Sequence, residues 1–451
     1  VNVNPQIFKA YDVRGLYPAE LDERVFHAIG RAFVTFLQAR RIGVGCDMRL
    51  SSPALTRAFM EGARTQGADI VDYGTIATDM LYYGVGTDDL DGGAQITASH
   101  NPKQYNGAKL VGHEASPLSG DKGISDIREM LRGDRLPPPP AQSGIVTARD
   151  LLPGYLEHVL GFIDPTIIHP FRVVLDAGSG MAGLVAPPLF DRLPCQITRL
   201  CFEIDGTFPN HEANPLIDEN RRHIEEQVLA DRADIGIAWD GDADRCFFID
   251  GAGQFVPGDF ITALLAEAFF LKDPRATVIY DLRASHAIRD TAARYGGRAL
   301  MNRVGHAFFK GRMREENAVF GGEVTGHYYF RENFYADNGF IPALLILELM
   351  SRKKQSLTEL LAPLRARYFI SGEINTKVAG MAVVEEKLDA IAERYADGAI
   401  QRLDGVSADF GRWHFNVRPS NTEPLLRLNL EADTPELMAA KRDEILEVIR
   451  T

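Results

Sequence analysis

Three short apolar runs in this chain end in the same way, and that repeat limits the fold more than any other feature. The junctions are Gly45-Cys46-Asp47-Met48-Arg49-Leu50-Ser51, Val174-Leu175-Asp176-Ala177-Gly178-Ser179 and Ile279-Tyr280-Asp281-Leu282-Arg283-Ala284-Ser285. Each reads as a strand that closes on Asp and runs into a helix. The runs 42–46, 171–175, 235–239 and 276–280 are apolar and β-branched with little alternation, as strands covered on both faces should be. Farther along each segment a second apolar run ends in a polar loop. These loops are Thr97-Ala98-Ser99-His100-Asn101-Pro102, Asp240-Gly241-Asp242-Ala243-Asp244-Arg245 and Gly322-Glu323-Val324-Thr325-Gly326-His327. Ligands bind outside the carboxyl ends of strands in open α/β sheets. Three related α/β domains, each lending a loop to a shared cleft, account for the pattern. Chance likeness among Asp-ended strands does so too, and the junctions alone do not separate the two.

A chain of 451 residues holds about three or four domains at ordinary domain sizes. The clearest linker is Leu136-Pro137-Pro138-Pro139-Pro140-Ala141-Gln142-Ser143, since four prolines continue neither a helix nor a central strand. The last part reads differently. Segments 369–378, 402–410 and 413–417 look like strands, and 381–395 and 435–449 like amphipathic helices. The expected architecture is α/β: three similar α/β domains (1–143, 144–252 and 253–366) around a central cleft, and a smaller C-terminal α+β domain (367–451).

Composition excludes several classes. Lys and Arg number 49 against 62 Asp and Glu, a net charge of −13, which argues against a general nucleic-acid binder. A few local cations can still hold an anionic ligand on such a surface. The four cysteines form no CxxC pair, so neither a zinc motif nor a disulfide framework is implied. No apolar stretch reaches about 18 residues, and residues 1–15 lack the pattern of a secretory leader. A cytoplasmic protein with no membrane, nucleic-acid or obligate protein partner is expected.

Asp240, Asp242 and Asp244 alternate in one loop. Three carboxylates so placed repel one another unless a cation sits among them, and Mg²⁺ takes oxygen ligands. The alternative, an acidic turn at the surface, is disfavoured because the cluster ends a buried-type strand. An EF-hand fails, because its sixth and twelfth positions would be Arg245 and Gly251 instead of Gly and Glu. Ser99 follows an apolar run and precedes His100-Asn101-Pro102, with Lys109 nearby. It is either an exposed nucleophile or a turn former. It lacks the Gly-x-Ser-x-Gly elbow of a hydrolase. Gly178-Ser179-Gly180-Met181-Ala182-Gly183 matches the dinucleotide fingerprint, although glycines of a tight strand–helix turn give the same string. Arg418-Pro419-Ser420-Asn421-Thr422-Glu423-Pro424 offers a guanidinium fork and hydroxyl and amide donors for a phosphate, or is a bare turn.

Each motif is weak alone, but all occur once, in one order, along the whole chain. Together with Phe8-Lys9-Ala10-Tyr11-Asp12-Val13-Arg14-Gly15 and Phe208-Pro209-Asn210-His211, they make the chain resemble the α-D-phosphohexomutase superfamily, in its phosphomannomutase/phosphoglucomutase branch. The resemblance implies a phosphohexomutase working through a phosphoserine at Ser99 and a hexose 1,6-bisphosphate. It implies Mg²⁺ on Asp240, Asp242, Asp244 and the Ser99 phosphate. It places Lys9, Arg14, His100 and Arg245 at the reaction centre and makes Lys109 and His327 the proton carriers. It gives Glu323 and Thr325 to the sugar hydroxyls, Arg418, Ser420, Asn421 and Thr422 to the distal phosphate, and His306 to the cleft. Arg283 stands where some relatives carry lysine, and is expected to bind only, since arginine is a poor base. Thr325 stands where serine is more usual, which leaves the mannose–glucose preference open. A phosphoglucosamine mutase, a Mg²⁺ phosphatase and a catalytically silent sugar-phosphate scaffold are the competing readings.

Overall fold

The structure is a computed structural model and describes residues 3–120, 123–133, 135–420 and 425–450. The chain sorts into two compact units. One comprises Val1–Val256, Gly305–Val319 and Thr325–Leu357; the other comprises Pro257–Val304, Phe320–Val324 and Thr358–Thr451.

The first unit contains two mixed sheets. In one, Arg41–Cys46 lies between Gly92–Ile96 and Asp69–Thr75 and is parallel to both. Tyr105–Gly112 joins antiparallel beyond Gly92–Ile96, with Val13–Leu16 outside it. Val146–Ala148, past the proline run, pairs in parallel with Asp69–Thr75. The register sets Cys46 opposite Ile96, so the loops carrying Asp47 and Ser99 leave the sheet side by side. Helix Glu23–Leu37 covers this sheet; Asp22 caps it, accepting from the amides of Arg24 (3.0 Å) and Val25 (2.9 Å). In the other sheet, Arg172–Asp176 lies parallel to Gln196–Leu200 and Ile235–Trp239. Ile235–Trp239 then turns antiparallel into Cys246–Asp250, and the aspartate loop is that turn. The short strands Tyr328–Phe330 and Ala336–Asp337 also belong to this unit.

In the second unit, Thr277–Asp281 is parallel to Arg298–Asn302 and Phe320–Gly322. The C-terminal sheet is antiparallel throughout, with Leu425–Ala432 flanked by Trp413–Pro419 and by Ile374–Lys377. Helices Met381–Arg394 and Pro435–Arg450 close its core through Val384, Leu388, Ile391, Ile445 and Ile449. Segment 402–410 is not one strand. Ala399–Gln401 and Val406–Asp409 form a hairpin, with the turn carried by Gly405 at φ +69°, a conformation glycine adopts freely. Segment 369–378 is likewise split, into Phe369–Ile370 and Ile374–Lys377.

The three Asp-ended junctions share local geometry. In each, one carboxylate oxygen accepts from the backbone amide two residues on: Asp47 from Arg49 (3.0 Å), Asp176 from Gly178 (2.9 Å) and Asp281 from Arg283 (2.7 Å). The same bond also closes turns at Asp72, Asp205 and Asp250, as Asp commonly does, so the turn alone does not separate a repeat from chance. The glycine string has a different use from dinucleotide binding. A Cβ at Gly180 would lie 2.5 Å from the Gly241 carbonyl oxygen, and the Met181 amide donates to that same oxygen at 2.9 Å. The space that a pyrophosphate needs is filled by the aspartate loop.

Candidate active site

Ser99 sits at φ +50°, in the left-handed region that a residue with a Cβ enters at a cost. Its amide donates to Thr97 Oγ1 (2.9 Å), and its hydroxyl donates to Asp240 Oδ2 (2.8 Å). His100 Nδ1 lies 3.3 Å from that hydroxyl. Burial first, and then Arg245, Arg14 and Lys109, holds the His100 imidazole neutral, far below its ordinary pKa.

The turn is clamped from behind by Arg49, which is fully buried. Its guanidinium donates to the carbonyls of Ser99 (2.8 Å), Asn101 (2.6 Å), Pro102 (2.9 Å) and Tyr105 (3.1 Å), and Asp47 balances its charge at 3.1 Å. Arg14 braces the loop's other side through Asn101 Oδ1 at 2.7 Å and an ion pair with Asp12.

Asp240, Asp242 and Asp244 are all buried, and one oxygen of each lies within 4.8 Å of the others. Arg245 Nε donates to Asp240 Oδ2 at 2.9 Å. Asp242 Oδ2 accepts from Thr78 (2.5 Å), Thr97 (3.2 Å) and Lys109 Nζ (2.7 Å). Lys109 also pairs with Asp244. Although burial opposes it, the attraction of Asp242, Asp244 and Asp240 keeps Lys109 protonated. Beside these three carboxylates it stands as a cation. Nearby, Asp337 joins Lys310 Nζ (2.7 Å) to His327 Nδ1 (3.1 Å). His306 opens helix His306–Glu316 with its ring edge-on to Tyr11, 5.1 Å between centroids. Lys9 is exposed, as Thr325 partly is.

The second unit holds its own polar cluster. Arg283 grips Asp281 through Nη2 (2.6 Å) and Nε (3.1 Å), and Val324 N donates to the same carboxylate at 3.1 Å. Three guanidiniums then converge on Glu373: Arg427 at 2.9 Å, Arg283 at 3.3 Å and Arg418 at 3.5 Å. Glu323 is buried, 3.9 Å from Arg283. Their attraction outweighs burial and holds the Glu373 carboxyl below its usual range. Such a gathering of forks around one anion has the chemistry of a phosphate site. Ser420 is buried and directly follows strand Trp413–Pro419, which carries Arg418, while Asn421 and Thr422 lie outside the described residues.

Comparison with known proteins now decides the family. Models of the phosphoglucomutase/phosphomannomutase α/β/α domains I, II and III match residues 5–135, 153–253 and 257–368, and that of the C-terminal domain matches 373–448. A phosphomannomutase of Escherichia coli is 41% identical over 454 residues, covering 98% of this chain and 99% of that protein. A phosphohexose mutase of Xanthomonas campestris pv. campestris (strain B100) is 42% identical over 98% of this chain and 99% of its own length. The crystal structure of a phosphoglucomutase/phosphomannomutase family protein from Burkholderia thailandensis superposes with a TM-score of 0.90 at 30% identity, over 100% of this chain and 98% of that one. The chain belongs to the phosphoglucomutase/phosphomannomutase family.

The family implies a divalent metal, and the aspartate loop fits one. Asp242 Oδ1 and Asp244 Oδ1 are buried without a hydrogen-bond partner, and such orphaned anionic oxygens are costly unless a cation meets them.

Most expected residues of this phosphohexomutase chain fall into the two clusters. Ser99, His100, Lys109, Arg14, Arg245 and the aspartates stand in the first, and Arg283, Glu323 and Arg418 in the second. Arg49, Thr78, Lys310, Asp337, Glu373 and Arg427 escaped sequence reasoning. Arg49 alone had a visible sign, since it repeats the Asp-x-Arg spacing of Asp281 and Arg283.

Proposed function

We propose that this chain moves a phosphoryl group between O1 and O6 of a hexose, acting on mannose and glucose phosphates. The observation that carries the reading is the Ser99 hydroxyl, held in a left-handed turn against Asp240 of a buried three-carboxylate loop. Phosphorylated Ser99 donates its phosphoryl group to the free hydroxyl and produces a hexose 1,6-bisphosphate. That intermediate turns round, and Ser99 takes back the other group. Mg²⁺ on Asp240, Asp242, Asp244 and a phosphoserine oxygen supplies Lewis-acid charge neutralisation there.

This chain's own residues do the rest. Arg49 fixes the serine turn. Arg14, Lys9, Lys109, Arg245 and the neutral His100 offer charge and donors to the transferring group. Asp337 orients His327, which moves the proton of the sugar hydroxyl. Glu323 and Thr325 take the sugar hydroxyls, and His306 is a further cleft residue. Arg283, Arg418, Ser420, Asn421 and Thr422 take the phosphate that does not react, in the place where Glu373 now collects three guanidiniums. Segments 1–143, 144–252, 253–366 and 367–451 each lend one loop. The four cysteines are free and no helix among the described residues is long and apolar enough to cross a membrane; both support a place in the cytoplasm.

Phosphorus NMR of mannose 1-phosphate and glucose 1-phosphate, with Mg²⁺ and a trace of glucose 1,6-bisphosphate, tests the reading. Both 6-phosphates should form without inorganic phosphate, and Ser99→Ala should reduce turnover to background. Release of inorganic phosphate would instead mark a phosphatase. Turnover of glucosamine phosphate alone would move the chain to the phosphoglucosamine branch.

A further inference from the structure

The second Asp-ended junction lacks what balances the other two. Asp47 and Asp281 each face a buried arginine, Arg49 at 3.1 Å and Arg283 at 2.6 Å. Asp176 is equally buried, but Gly178 stands in the arginine position. Its Oδ1 accepts from the Gly178 amide at 2.9 Å. Its Oδ2 meets His211 Nε2 at 3.2 Å and His223 Nε2 at 2.9 Å. The Cys201 thiol completes a group whose four donor atoms lie within 4.8 Å of one another.

Neither imidazole makes a well-formed hydrogen bond through Nε2, though both nitrogens are buried. The His211 side chain is only 10% exposed. Its Nδ1 lies 2.9 Å from the Glu212 carbonyl oxygen. Donation there leaves Nε2 as the nitrogen that faces the Asp176 carboxylate. Ligating histidines are commonly held this way, with the far nitrogen anchored and the near one turned to the site. Ligand arms of about 2.0 Å at tetrahedral angles set neighbouring donors roughly 3.3 Å apart, close to the two nitrogen–oxygen separations here.

We propose that Asp176, Cys201, His211 and His223 form a four-ligand zinc site, separate from the aspartate loop. Two nitrogens, one thiolate and one carboxylate suit Zn²⁺ in a tetrahedral shell and not Mg²⁺, which wants oxygen. Four protein ligands leave no open position, so the site is structural. Its three supports are different elements: Asp176 ends strand Arg172–Asp176, Cys201 follows strand Gln196–Leu200, and His223 lies on helix Asp218–Asp231. His211 comes from the loop between. The ion therefore pins that loop, and the loop's Phe208 ring lies under the Arg49 guanidinium at 5.4 Å. Arg49 is the residue that clamps the Ser99 turn, so zinc supports the turn through two contacts. The site stands whether or not the sugar assignment does.

Cobalt is the probe. The metal-free chain titrated with Co²⁺ should show tetrahedral visible bands and a thiolate-to-cobalt charge-transfer band, saturating at about one equivalent. Cys201→Ser should remove the charge-transfer band. His223→Gln, on a partly exposed helix face, should weaken Zn²⁺ by more than ~100-fold, beyond the loss usual for outer partners. Asp240→Asn should leave the spectrum unchanged. Zn²⁺ should also shield Cys201 from iodoacetamide, and Mg²⁺ should not. No charge-transfer band in the wild-type chain would overturn the proposal. So would alkylation of Cys201 at one rate with and without Zn²⁺, which would leave a bare thiol beside two imidazoles. The wild-type titration decides even if a variant fails to fold.

Discussion

Arg49 shows how a residue remote from the chemistry can govern it. Its five donors are spent on four carbonyls of the serine turn and on Asp47. Only a planar fork reaches so many acceptors at once; a lysine ammonium is a point charge with three donors. Arg49→Lys keeps the charge that Asp47 needs and loses the fork. The turn then relaxes, Ser99 leaves its left-handed conformation, and a displacement near 1 Å costs about 100-fold in rate. We expect kcat to fall about 100-fold with KM moved only a few-fold; kcat within threefold of wild type would refute the clamp. The same residue marks the limit of sequence reading. Ser99, Asp240, Asp242 and Asp244 were legible because the chemistry is concentrated in single loops. Arg49, Asp337 and Glu373 act through partners 40 or more positions away or through folded neighbours, and an isolated Arg, Asp or Glu in sequence carries no such mark.

The meeting of elements in the second unit sets a pH response. His286 precedes helix Ala287–Tyr295, and its ring stacks on His414 of strand Trp413–Pro419 with centroids 3.8 Å apart. Arg289 Nη2 lies 3.1 Å from His286 Nδ1, and Asp409 lies 3.3 Å from Nε2. The backbone amide of His286 donates to Glu431 at 3.1 Å. Burial first, then His414 and Arg289, pushes His286 down to about 4 from an ordinary 6.5, with Asp409 and Glu431 pulling weakly the other way. The unfolded chain therefore takes this proton first as the pH falls. The stability tied to a neutral His286 is complete above about pH 6.5 and is lost between there and about pH 4. At roughly 1.4 kcal/mol per unit, the loss is at most about 3 kcal/mol. Asp259, raised to about 7 chiefly by burial, titrates with the opposite sign, so the comparison must be between proteins. Urea unfolding at pH 7 and pH 4.5 should show His286→Gln losing less stability than wild type; equal losses would rule the pair out. The elements themselves were mostly legible, because apolar runs buried on both faces announce strands. The hairpin at 399–409 was not. Its turn at Leu403-Asp404-Gly405 sits among residues whose alternation continues a strand, and only the positive φ of Gly405 breaks it.

For the whole molecule, the threefold repeat was readable in sequence, whereas which distant segments pack together into one compact unit carries no local sign. Segments Gly305–Val319 and Thr325–Leu357 join the first unit although they lie within the stretch matched by the domain III model. Cohesion of that kind comes from packing between distant segments and has no local pattern. The C-terminal core is the exception, since among the described residues its fully buried side chains all lie between Val384 and Ile449. Multi-domain chains depart from two-state unfolding when their cores are separately built, and a smaller core is the less stable one. The chain carries two tryptophans, and they report on different units. Trp239 is buried in the first, stacked on Phe340 at 5.4 Å and donating to the Gly339 carbonyl at 2.7 Å. Trp413 lies in the C-terminal core, with its ring parallel to Phe410 at 4.3 Å. In Trp239→Phe the remaining reporter sits in an unaltered C-terminal core; in Trp413→Phe it sits in an unaltered first unit. Each variant therefore reads a transition that its own substitution does not weaken directly. A stability gap of ~2 kcal/mol, at a slope of ~2 kcal/mol per molar urea, would separate the two midpoints by about 1 M. We expect Trp413 fluorescence to change at the lower urea concentration. Coincident midpoints in the two variants would mean that the units unfold as one, and that the continuity of the C-terminal core in sequence gives it no independence.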